Sequence, residues 1–170
     1  MDITHIDKAV YDFVSRSSID LGYFHPFIVD FAIVLPIMAL FFHFISLLAA
    51  TGEGGGKEFL KAANLLFFMA IIAILFAYIT GVSQGSSIKE TLSQEGREVF
   101  SAHAQLGRYL FAASVLLFFL KIISLFVKKE PLRYIFGGLF FIAVIVLLYQ
   151  NVLGNYLVFD YGAGVVLSPY

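Results

Sequence analysis

Three histidines, an aspartate and an arginine lie in or beside long apolar stretches of this 170-residue chain. His25 and Asp30 fall at the start of the first stretch and His43 near its end. His103 opens the third, and Arg108 follows five residues later. An ionisable side chain at the centre of a bilayer costs roughly 3 kcal/mol on insertion scales, so each needs a partner or a task. Two imidazoles on facing helices can hold a haem iron from opposite sides, and bundle cores commonly host such groups. In that reading His25 and His103 are the axial ligands of a haem b. Arg108 pairs a propionate or fixes a ligand, and Asp30 tunes or anchors the site. A competing reading makes Asp30 and Arg108 a buried ion pair and the two histidines interface residues bonded to loops. A third gives His25, Asp30 and His103 to a divalent metal, where such ligands suit zinc or copper(II) and not copper(I).

Depth arguments sharpen these readings. If spans one and three start at the same face, His25 and His103 lie at one level, and Asp30 and Arg108 lie five residues deeper. Five residues of ideal helix are about 7.5 Å of rise and about 140° of rotation. His25 and Asp30 then share a face only if His25 caps the helix from outside. His25-Pro26 fits that, because the residue before proline avoids helical angles and proline suits the first helical position. His43 lies about 27 Å from His25 by rise, too far to share a metal. Met69 in span two falls at a depth comparable with His43, and His–Met is a known haem ligand pair. However, Phe41-Phe42-His43-Phe44 reads more as a packed interior histidine.

The elements that position these residues are four apolar runs, about 26–49, 64–81, 106–127 and 132–153. Each approaches the roughly 20 residues that cross about 30 Å of hydrocarbon. They are apolar all round, as expected for helices with lipid on one side and protein on the other. Composition agrees: 60% of residues are hydrophobic and 14% charged, with 20 Phe and no Trp, against about 25% charged in soluble domains. The fold class is all-α, a single four-helix transmembrane bundle. The net charge of −1 gives no sign of a nucleic-acid partner. The chain has no cysteine, which excludes disulfides, cysteine-ligated iron–sulfur clusters and covalently attached haem, but not haem b. G-x-S-x-G, H-E-x-x-H and phosphate-loop motifs are absent.

Residues 1–24 lack the basic start and apolar core of a signal peptide. Ile3, Ile6, Val10, Phe13 and Val14 fall at helical spacing, opposite Asp2, Asp7, Lys8, Asp12 and Arg16. This predicts a short amphipathic helix on the membrane surface. His5 reads as a surface residue. Gly52-Glu53-Gly54-Gly55-Gly56 reads as a flexible connector, and Pro131 as part of a tight helix–helix turn. Pro36 predicts a kink in span one, and Gly137-Gly138 a close helix contact. Six Lys and Arg (Lys57, Lys61, Lys121, Lys128, Lys129 and Arg133) fall on the two loops and their flanks at one end, against four at the other, or five with Arg108. That bias puts both termini outside.

One ordered set of motifs carries more. His25-Pro26-Phe27-Ile28-Val29-Asp30-Phe31 resembles an HP-x-x-V-H-F pattern; Thr80-Gly81 closes span two and His103 precedes span three. Leu157-Val158-Phe159-Asp160-Tyr161-Gly162-Ala163-Gly164-Val165 resembles an LVY-x-x-G-x-G-V tail. From about Tyr23 to Val165 the chain resembles a broad, largely uncharacterised bacterial family of four-span membrane proteins, sometimes fused to Rieske-type iron–sulfur domains. The resemblance implies a redox setting and carries over His25 and His103. Where the family has a second histidine in span one this chain has Asp30, and a tail histidine is Tyr161. Gly162 and Gly164 can permit a tight re-entrant turn against the histidines.

These observations point to a small b-type haem-binding electron-transfer subunit of a bacterial inner membrane, with a quinone or periplasmic redox protein as partner. Such a chain is more an electron-transfer or accessory subunit than a stand-alone enzyme. The alternatives are a non-catalytic subunit of a larger membrane complex or homo-oligomer, and the His/Asp divalent-metal protein. Four short spans leave little room for the alternating access of a transporter.

Overall fold

The computed structural model describes residues 4–16, 21–49, 56–127 and 129–164. Asp2, Ile3, Asp20, the connector at 52–55, Lys128 and the tail beyond Gly164 lie outside the described residues. Helix α1 (Thr4–Val14) is followed by a 3-10 turn (Leu21–Phe24) that runs directly into α2 (His25–Leu48). Then come α3 (Gly56–Ile88), α4 (Gln94–Val127) and α5 (Glu130–Phe159). No strand occurs among the described residues.

Helices α2 to α5 are each long and apolar enough to cross a membrane. Only 17–33% of the residues in their most apolar windows are buried inside the bundle. Phe126, Leu48 and Leu116 are 81%, 76% and 71% exposed. In water this would be an unstable surface; facing hydrocarbon it is the expected one, because lipid tails are as apolar as leucine. The interior is thin and aromatic. Phe67 packs edge-on against Phe136 and Phe140, with ring centroids 5.2 and 5.3 Å away. Ala39, Leu40, Leu117 and Val144 complete this centre.

The helices outrun their apolar runs. α3 begins eight residues before its run and ends seven after it; α4 begins twelve before, and α5 continues six beyond. Residues 154–159, expected in an outer tail, are therefore the last turns of α5. Ser93 caps α4, its hydroxyl accepting the Gly96 N–H at 3.1 Å, as N-cap serines do. Pro131 sits in the first turn of α5, where no helical N–H is lost. Helix α2 continues through Pro36. The proline ring is buried and lines, with Phe67, Leu117 and Phe140, an apolar cavity of about 30 Å³. A Cβ at Gly137 would meet the His43 side chain, whereas one at Gly138 would point into open space.

Candidate functional site

At the end of the bundle that carries the first and last described residues, two helix pairs each hold one imidazole. His25 opens α2, and its Nδ1 lies 3.0 Å from Thr80 Oγ1 on α3. The Thr80 hydroxyl is buried and donates its single proton to backbone carbonyls of its own helix, Phe76 O at 2.8 Å and Ala77 O at 3.2 Å. With that proton given to the helix, the hydroxyl faces the ring as an acceptor, which suits the tautomer with the proton on His25 Nδ1 and the lone pair on Nε2. Room for the ring comes from Gly81, where a Cβ would sit 2.9 Å from His25 Cε1.

His103 on α4 is held from α5. Gln150 Nε2 donates to the His103 carbonyl at 2.9 Å and lies 3.3 Å from His103 Nε2. The carbonyl bond fixes which end of the amide is nitrogen, so His103 Nε2 is the accepting side. Nδ1 is buried and, among the described residues, has no hydrogen-bond partner. Two glycines make this packing possible. A Cβ at Gly154 would lie 3.3 Å from His103 Cε1, and one at Gly107 would lie 3.3 Å from Gln150 Nε2. Both rings are half-buried and lie within electrostatic range of each other.

Arg108 and Asp30 do not join them. Arg108 Nη1 donates to Asp7 Oδ2 at 2.6 Å, and Tyr78 Oη donates to Asp7 Oδ1 at 2.5 Å. Arg108 thus pairs with Asp7 of α1 and not with Asp30. Asp30 is exposed. The physical reason is the start of α2. Phe24 is already helical, at φ −85° and ψ −9°, so His25 is no extended cap and the turn of about 140° to Asp30 stands. Among the described residues no group of three or more His, Cys, Asp or Glu is placed to hold a metal ion. His25, Asp30 and His103 are not assembled as a three-ligand centre.

The tail closes this end differently from the expected turn on the histidines. Gly162 and Gly164 adopt φ of 65° and 75°, and the Ala163 N–H turns back onto Leu157 O at 2.8 Å. The Tyr161 ring packs on Gly96, and Gly164 sits against Gln84 and Ile88.

A family model described as a predicted membrane protein (DUF2231) matches residues 23–167. The chain belongs to the DUF2231 family. No curated protein and no solved structure matches it. The matched segment starts just ahead of His25 and contains Thr80, Gly81, His103, Gln150 and Gly154, so the whole imidazole arrangement lies inside the DUF2231 region. Asp7, the partner of Arg108, lies outside it.

Sequence reasoning found both imidazoles but not what holds them. Thr80-Gly81 offered a signal: a hydroxyl and a glycine side by side at the depth of His25. His43 is 1% exposed, whereas Met69 is 46% exposed.

Proposed function

We propose that the chain is a small multi-pass electron-transfer subunit of a bacterial inner membrane. It binds haem b through His25 and His103 near the face that carries both termini. The observation that carries this reading is the Thr80–His25 bond. A ring held at Nδ1–H by a neighbouring acceptor presents a neutral Nε2, the form that ligates iron, and a partner on the far ring nitrogen fixes both tautomer and ring orientation. The donor set suits the group, two imidazoles from separate helix pairs, each seated in a glycine notch. Bound there, haem would supply a one-electron couple. The chain's own residues hold the rings and screen them from water. Gln150 must release His103 Nε2 while keeping its bond to the backbone carbonyl. Arg108 and Asp30 take no part in ligation. A quinone or a periplasmic redox protein is the partner this placement suits.

The test is a reduced-minus-oxidised visible spectrum of the detergent-purified protein, with a pyridine haemochrome assay, from cells supplied with haem. A b-type spectrum that disappears in His25→Ala and in His103→Ala is expected. A colourless protein at full yield overturns the reading, and its co-purification with a large partner would mark an accessory subunit instead.

A further inference from the structure

The opposite end of the bundle holds a second polar cluster, made of residues from α2, α4 and α5. Lys121 of α4 is 4% exposed, and its Nζ sits over the Phe136 ring at 4.5 Å. The His43 ring meets the same Phe136 edge-on at 5.5 Å. Arg133 Nη2 donates to Ser46 Oγ at 2.8 Å, and the Ser46 hydroxyl donates to His43 O at 2.6 Å. The buried Arg133 Nε has no hydrogen-bond partner among the described residues, and the His43 ring lies beside the Arg133 backbone. Gly137 leaves space for the His43 ring, with its would-be Cβ 2.9 Å from Nε2.

Charge makes the cluster unusual. Two cations lie close enough to repel each other, and among the described residues no carboxylate lies within ion-pair distance of either. Desolvated charge without an opposite charge is among the costliest arrangements in a protein. The face of Phe136 compensates Lys121 only in part. What the cluster lacks is an acceptor-rich anion, since Lys121 and Arg133 Nε have donors to give.

Depth identifies the anion's class. Helices α4 and α5 have 34 and 30 residues, about 51 and 45 Å at 1.5 Å per residue. That spans hydrocarbon and headgroup layers together, which measure about 40–45 Å. Arg133 is three residues inside the start of α5 and Lys121 six from the end of α4, about 4.5 and 9 Å by rise. The cluster therefore sits where headgroups meet hydrocarbon, and two cations with forked and single donors suit phosphate oxygens.

We infer that His43, Ser46, Lys121 and Arg133 form a binding site for a phosphate group, that of an anionic phospholipid headgroup held between the helices. It is separate from the imidazole pair and does not depend on haem binding.

The test uses the full-length protein in detergent, washed free of loose lipid. Native mass spectrometry should find about one anionic phospholipid retained per chain. Phosphatidylglycerol should raise Tm where phosphatidylcholine does not. Lys121→Met and Arg133→Gln should each weaken retention by about tenfold or more, as expected when one partner of a desolvated charge pair is lost. If wild type holds no lipid but inorganic phosphate raises its Tm through Lys121, the phosphate site stands and its source is solution. Equal retention in wild type and Lys121→Met, or no response to any of the three probes, overturns the proposal. Should Arg133→Gln not fold, Lys121→Met and the contrast between the two lipids decide the matter.

Discussion

Thr80 places one hydroxyl between its own helix backbone and the ring of His25, and this makes it a positioning residue for the proposed ligand. Thr80→Val keeps the shape and removes the acceptor, leaving Nδ1–H unpaired. Haem affinity should fall by about 10–100-fold, the usual cost of losing such a partner. The midpoint potential should shift as well, and Thr80→Ser should restore both. Haemin titration of the apoprotein and a redox titration measure these, and unchanged values would deny Thr80 the role. At this scale the sequence was partly legible. Matched depth along two apolar runs is enough to pair His25 with His103. Depth gives height and not direction around a helix, so it could not exclude Asp30. Nor could it find the partner of Arg108, which lies 101 residues away in sequence.

Helix α1 shows how a polar residue can dock an element that otherwise reads as a surface float. Its polar face was expected to point to water, yet Asp7 turns inward to accept from Tyr78 and Arg108. Tyr78 is itself fixed by stacking on Phe111 at 4.5 Å. Phe13 is 74% exposed and Ile6 41%, free to face lipid, whereas Val14 is buried at 5%. The Asp7 and Arg108 side chains are 30% and 18% exposed, sheltered enough for the pair to matter. Asp7→Asn should cost about 1–2 kcal/mol of docking, a factor of roughly 5–30 in the docked population. Hydrogen exchange along residues 4–14 should rise by that factor while α2 to α5 stay protected. Unchanged exchange would mean that α1 is held by its apolar contacts alone. Element boundaries were the less legible part. Hydropathy reports the stretch that lies in hydrocarbon, and segments such as Gln94-Glu95-Gly96-Arg97-Glu98 continue the helix beyond it.

For the whole molecule, four antiparallel crossings put the imidazole pair at one membrane face and the Lys121–Arg133 cluster at the other. Which face is which is an expectation from charge. Lys57, Lys61, Lys121, Lys128, Lys129 and Arg133 belong to the loop end, against Lys8, Arg16, Lys89 and Arg97 at the termini end. Lys121 is buried in the bundle and is less able to act as a topology signal than the loop residues, since the bias is read from loops and helix flanks. Without Lys121 the count is five against four, so the decisive residues are those of the α4–α5 turn. A phosphatase fused after Tyr170 should be active in cells and a fluorescent protein at the same point dark, because the first folds only outside and the second only inside. Replacing Lys128, Lys129 and Arg133 together with Gln should reduce that preference or invert it. The opposite reporter pattern in the unaltered chain would turn the molecule over. The imidazole pair would then face the cytoplasm and need a cytoplasmic redox partner, and the phosphate cluster would face the outer leaflet.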